Sequence, residues 1–196
     1  MKRLSGLLER GRSMDNGASS YRRFLDGDES GLVEIIRDYK DGLILYLNGF
    51  VSNIHLAEEL AEDTFVKLGV KKPRDSKKCS FKTWLYTIGR NVAIDYIRKS
   101  KRIQHEELSE FVSDGETLEK AYIREEQKII VHRAMLKLKP EYRQVLWLIY
   151  FEGMSNKDAS IIMKKSVHNI EVLVYRARLA LKPSFSSSDF NASLAR

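Results

Sequence analysis

The sequence predicts an all-α fold: two small helical domains joined by a flexible acidic linker. Three observations predict it. Apolar residues recur at three- and four-residue spacings through most of the chain, while strict two-residue alternation is almost absent. The charge reverses near residue 103. A helix-starting signature followed by two short periodic segments stands towards the carboxyl end. The 196 residues carry 34 Lys plus Arg against 27 Asp plus Glu, a net charge of +7, which points to an acidic partner and first to nucleic acid. A hydrophobic fraction of 43% is enough for real cores and excludes wholesale disorder. No apolar run approaches the roughly 18 residues of a membrane span. Arg10 and Arg12 interrupt before an apolar stretch of signal-peptide length appears. A soluble, cytoplasmic chain without membrane insertion is therefore expected. The single cysteine, Cys79, can form no internal disulfide and cannot alone hold a structural zinc. A passive side chain is the expectation there, a redox thiol the alternative.

The elements follow in chain order. Residues 1–18 mix Gly, Ser, Asn and Arg without periodicity and read as a mobile tail. The first domain spans 19–102. In it Leu32, Val33, Ile35, Ile36 and Tyr39 make one apolar stripe, which Leu43, Leu45, Leu47 and Val51 continue. Leu56, Leu60, Phe65 and Leu68 form a second helix with acids between them. Phe81, Leu85, Ile88, Val92 and Tyr96 form a third, at spacings of 4, 3, 4 and 4. From Phe81 to Arg102 there are six bases and one acid; from Ile103 to Lys128 there are three bases and eight acids. That reversal, with the turn signal Ser113-Asp114-Gly115, places a linker at 103–127. The second domain spans 128–183. Helices are expected over Ile129–Lys137 and Glu141–Phe151, split by Pro140 and ended by Gly153. A Ser-rich stretch at 184–196 reads as a second mobile tail.

Ser155-Asn156-Lys157-Asp158 is a capping box. A short helix follows with Ala159, Ile162 and Met163 inward, then a turn at Lys164-Lys165, with Ser166 as N-cap of the next helix. There Val167, Ile170, Val174, Ala177 and Leu181 build one buried face. The opposite face carries His168, Asn169, Glu171, Val172, Tyr175, Arg176 and Arg178. Two short helices about a tight turn fit a helix-turn-helix, so the second domain is expected to be a helix-turn-helix (winged-helix-like four-helix) domain whose second helix can enter the DNA major groove. An ordinary amphipathic pair with a solvated face is the alternative.

The basic helix from Phe81 interleaves cations with rings and amides. Cations neutralise phosphates and rings stack on unpaired bases, a mixture that suits opening DNA better than a closed duplex. Phe81 and Trp84 are expected in the core, because large rings usually bury. Tyr86 lies off the apolar stripe and is the better stacking candidate. In the acidic helix, Glu58 and Glu62 share one side and Glu59 and Asp63 another. It can offer a basic protein a docking face; a merely solvated helix is the alternative. His55-x-x-Glu58 imitates half of a carboxylate-bridged metal site, but the chain has no second Glu-x-x-His.

Together these segments resemble the bacterial RNA polymerase sigma factors of the extracytoplasmic-function (ECF) type, over about 26–102 and 129–182. Asp26-Gly27-Asp28-Glu29 and the stripe after it resemble the start of the family's first domain. Ala57-Glu58-Glu59-Leu60-Ala61-Glu62-Asp63-Thr64-Phe65 resembles the helix that docks on the polymerase clamp. Ser80 to Lys99 resembles the segment that melts the −10 promoter element and holds flipped-out bases. Leu138 to Leu146, Gly153-Met154-Ser155 and Tyr175-Arg176-Ala177-Arg178 resemble the domain that reads the −35 element.

The resemblance implies three sets of site residues. Glu58, Glu59, Leu60, Glu62, Asp63 and Phe65 would bind polymerase. Lys82, Trp84, Tyr86, Arg90, Asn91, Asp95, Arg98, Lys99, Lys101 and Arg102 would bind −10 DNA. Lys164, Lys165, Ser166, His168, Asn169, Glu171, Val172, Tyr175, Arg176 and Arg178 would bind −35 DNA. Glu62 and Asp63 stand where the family usually has Gln and Glu, Lys164 where the turn usually has Gly, and Glu171 where a base is usual. The implied partners are core RNA polymerase and promoter DNA. Such proteins often have an anti-sigma factor too, though no residue here identifies one. No catalytic residue, cofactor or metal is expected, and no Walker loop suggests nucleotide hydrolysis. Two other readings stand beside this one: a stand-alone helix-turn-helix regulator, and a nuclease using the carboxylates with a metal.

Overall fold

The structure is a computed structural model that describes residues 17–73, 79–104 and 134–184. Every regular element among them is helical. The first unit holds α1 (Ala18–Leu25), α2 (Ser30–Val51), α3 (Ile54–Lys71) and α4 (Phe81–Gln104). The second holds α5 (Pro140–Leu146), which runs into a π-helical turn at Trp147–Phe151, then α6 (Asn156–Met163) and α7 (Val167–Leu181). Residues 134–136 are helical as well. The linker and its Ser113-Asp114-Gly115 turn lie outside the described residues, apart from 103–104, which close α4. So do the two tails, apart from Gly17, Ala18 and Ser184, and the first part of the helix expected over Ile129–Lys137.

Local chemistry sets the element ends. Asp28 Oδ1 accepts from the Ser30 amide at 3.0 Å and opens α2. Asn53 caps α3, its Oδ1 accepting from the Leu56 amide at 3.2 Å. Pro140 occupies the first turn of α5, where its missing N–H costs nothing. Gly153, at φ +63°, reverses the chain after the π-helical turn. Both halves of the Ser155–Asp158 capping box are formed at the start of α6. Ser166 Oγ accepts from the Asn169 amide at 3.2 Å and caps α7.

Within the first unit α2 packs between α1 and α3, and α4 packs on α2 and α3. An aromatic cluster of Tyr21, Phe81 and Trp84 ties α1 to α4, with ring centroids 5.3–5.7 Å apart. Phe81 is buried and Trp84 half-buried. Tyr21 reaches further and donates its hydroxyl to the Pro73 carbonyl at 2.6 Å. In the second unit Ala159, Ile162, Met163, Ile170, Ala177 and Leu181 are buried between α6, α7 and α5. Val167 departs from its expected place: it is 41% exposed, because it lies in the first turn of α7, at the end of the packed face.

The units share an interface. Arg143 is buried and donates from Nη1 to Ser52 Oγ at 2.7 Å and to the Leu136 carbonyl at 3.0 Å, which joins α5 to the end of α2. Its burial pushes the guanidinium below its ordinary value. α6 lies against α4, and the buried side chains of both units form one apolar cluster.

Candidate functional site

The π-helical turn leads directly into one contact between the units. Trp147 and Phe151, its first and last residues, stack at 4.3 Å with planes 10° apart. The turn delivers Glu152 onto α4. Lys82 Nζ donates to Glu152 Oε2 and to the Glu152 carbonyl, both at 2.8 Å. Trp147 Nε1 donates to Oε1 at 3.1 Å. One residue along α4, Thr83 Oγ1 donates to Asp158 Oδ1 at 2.9 Å. The side of α4 bearing Lys82, Thr83 and Tyr86 therefore faces the second unit.

This arrangement corrects the expectation for Tyr86. It is fully buried, its ring centroid 5.3 Å from that of Tyr46, and burial raises its hydroxyl pKa well above the ordinary tyrosine value. Its place off the Phe81–Leu85–Ile88 stripe suggested exposure, but the second unit covers that second face. Tyr86 offers no stacking surface in this arrangement. Trp84 is better placed: with Lys67, Lys71, Pro73, Ile88 and Asn91 it lines a cavity of about 160 Å³ between α3 and α4. Arg90 is half-buried. Asp95, Arg98, Lys99, Lys101 and Arg102 are exposed along the carboxyl-terminal half of α4.

On α3, Glu59, Glu62 and Asp63 are exposed and Glu58 is half-buried. The four-residue spacing separates two flanks. Glu62 sits on an apolar groove of about 750 Å³ with Leu32, Val33, Ile36, Phe65 and Val66. Asp63 lines a cavity of about 270 Å³ with Lys67, Asp95, Tyr96 and Lys99 beside α4. Leu60 and Phe65 are corrected from contact residues to core residues, at 2% and 6% exposure. His55 Nδ1 lies 3.5 Å from Glu58 Oε2. Among the described residues no group of three or more His, Cys, Asp or Glu is placed to hold a metal ion. No helix there is long and apolar enough to cross a membrane.

The face of α7 stands clear of the interface. His168, Asn169, Glu171, Tyr175, Arg176 and Arg178 are exposed and Val172 is half-buried. In the turn before it Lys164 and Ser166 are exposed, while Lys165 Nζ pairs with Glu141 Oε1 at 3.2 Å. A helix of 15 residues is about 22 Å long and, at about 10–12 Å across with its side chains, fits a major groove.

Sequence reasoning missed Gly42, Thr83, Glu152 and Asp158 as interface residues. Two weak signals pointed there. Gly42 is a glycine in the middle of a 22-residue helix. Glu152 is an acid at a helix carboxyl end, the unfavourable end for the macrodipole.

Comparisons with known proteins agree with this geometry. Residues 35–103 match the family described as Sigma-70 region 2, and residues 128–181 match Sigma-70, region 4. The chain is similar to the RNA polymerase sigma factor YlaC of Bacillus subtilis, at 30% identity over 164 residues, covering 79% of this chain and 92% of that one. It is also similar to the ECF RNA polymerase sigma factor SigW of the same organism, at 29% identity over 167 residues, covering 80% and 89%. Its fold is like that of the sigma factor RpoE solved with the anti-sigma factor NepR from Bartonella quintana, with a TM-score of 0.63 and 24% identity over 77% of this chain and 94% of that one. CnrH, solved with the cytosolic domain of CnrY, gives a TM-score of 0.59 at 19% identity over 84% of this chain and 94% of that one.

Proposed function

The chain belongs to the RNA polymerase sigma factor family, of the extracytoplasmic-function type, and from that premise we propose how its residues divide the work of promoter recognition. As a sigma factor it binds core RNA polymerase and directs promoter recognition at the start of transcription. The observation that carries this reading is the presence of both sigma-70 regions, in order, in one chain. A stand-alone helix-turn-helix regulator would leave the first of them without a role.

In the proposed division, 19–102 is the docking and melting domain, 103–127 the tether and 128–183 the −35 domain. Glu58, Glu59, Glu62 and Asp63 present the acidic side of α3 to a basic surface of core polymerase, with Leu60 and Phe65 holding the helix in place from beneath. Polymerase supplies all catalysis. The exposed face of α7 enters the major groove, where Arg176 and Arg178 contact phosphates and the residues near His168 reach base edges. The −10 strand follows Arg98, Lys99, Lys101 and Arg102. An unpaired base enters the cavity walled by Trp84, with Asn91 offering an amide to its edge. Flipping a base costs a few kcal/mol, and stacking returns about 1–3 kcal/mol per base, so such a site favours opening without ATP. The chain works in the cytoplasm, where its polymerase is. The similar folds solved with NepR and CnrY support an anti-sigma partner for this chain as well.

Charge reversal tests the docking role. Glu59→Lys with Asp63→Lys abolishes pull-down of core polymerase while leaving the circular dichroism spectrum unchanged; retained pull-down counts against the assignment.

A further inference from the structure

We infer that the free chain is held shut by a latch, in which the Glu152 carboxylate seats between Lys82 and Gly42 and withholds the Lys82 side of α4 from promoter DNA. The inference rests on α4 being the −10 helix.

Three features build the latch. Lys82 makes two 2.8 Å contacts with Glu152, one to Oε2 and one to the carbonyl, and a lysine so engaged cannot neutralise a phosphate. The two side chains are only 23% and 11% exposed, so water and salt screen the pair weakly. The second feature is steric. A Cβ added at Gly42 would come within 2.5 Å of Glu152 Oε1 and 2.8 Å of the Tyr86 hydroxyl. A side chain there would force the Glu152 carboxylate or the Tyr86 hydroxyl to shift. The third is cover: Thr83, next to Lys82 on the same side of α4, is buried and bonded to Asp158 of the second unit.

Two local rules are broken here, and the latch accounts for both. A glycine inside a long helix weakens it, and an acid at a helix carboxyl end opposes the macrodipole. Gly42 makes room for Glu152, and Lys82 with the Trp147 indole neutralises and holds it. Drawing the second unit away to an upstream DNA element would release Lys82 and Thr83 together. Closure and DNA binding thus compete for the same lysine.

The test uses the full chain carrying Cys79→Ser, with spin labels on Val70→Cys and Leu179→Cys, both exposed and one in each unit. Electron–electron double resonance then reads the distance between units. The parent shows one narrow, short population. Gly42→Ala and Glu152→Lys each shift the closed-to-open ratio by about tenfold or more, towards a long, broad population. The charge swap of Lys82→Glu with Glu152→Lys restores the short population. Unchanged distances in Gly42→Ala and Glu152→Lys overturn the latch, as does a swap no more closed than Glu152→Lys alone. Run-off transcription with core polymerase separates the two claims. Under the latch, Gly42→Ala and Glu152→Lys saturate transcription at lower chain concentrations than the parent, and equal concentrations count against it. Loss of run-off in every chain, parent included, strikes the sigma-factor reading while the distances still decide the latch.

Discussion

Thr83 Oγ1 donates a 2.9 Å hydrogen bond to Asp158 Oδ1 across 75 positions of sequence. The same carboxylate accepts from the Ser155 amide through Oδ2 at 3.3 Å, completing the capping box of α6. One side chain thus starts a helix in the second unit and anchors that helix to the first. Thr83→Val keeps the shape and removes the long-range half. It lowers unfolding stability by about 1.5–3 kcal/mol, the range for a hydrogen bond to a charged group. Thr83→Ser stays near the parent. Urea midpoints of the three chains check this.

Ser155→Ala removes the local half. Loss of this N-cap costs about 1 kcal/mol. Amide exchange should quicken first in α6, leaving α2 and α3 at parental protection. Exchange that quickens equally everywhere would show that the cap has no local effect.

Lys164 turns between α6 and α7 at φ 54° and ψ 45°, the left-handed region that a lysine adopts at a cost. Lys164→Gly relieves that strain and raises stability by about 0.5–1 kcal/mol. The same change removes a cation from the turn before α7, so upstream DNA binding weakens as stability rises. A melting temperature that falls would contradict the strain argument.

Arg176 and Arg178 are exposed on α7. Replacing both with Ala lowers the slope of log affinity against log salt by about 0.9 for each phosphate no longer neutralised. Titration of −35 duplex at several salt concentrations reads the slope. An unaltered slope would remove both residues from the DNA interface.

Much of the fold and less of the site was legible in the sequence. Helix periods, the Ser155–Asp158 box, the Ser166 cap and the Gly153 reversal are local rules, readable within a few residues. The exposed face of α7 follows from the same periodicity. Tyr86 was misread because its burial depends on what packs over a second face of α4, and periodicity reports only the strongest face. Leu60 and Phe65 lie on the apolar stripe of α3, so their burial was readable, but the family motif drew them into the docking set. The interface residues Thr83, Glu152 and Arg143 meet partners 70 to 91 positions away, beyond any local pattern. Gly42 gave a clue of misplacement in a helix without saying what approaches it.

The central claim is that this chain gives core polymerase its promoter choice. The direct measurement incubates purified chain and core polymerase with a randomised promoter library and sequences the run-off transcripts. The account predicts start sites enriched over core polymerase alone, sharing a −10 and a −35 element at fixed spacing, and lost with the Glu59→Lys and Asp63→Lys chain. Transcripts no different from those of core polymerase alone, or unchanged by the double reversal, would contradict it.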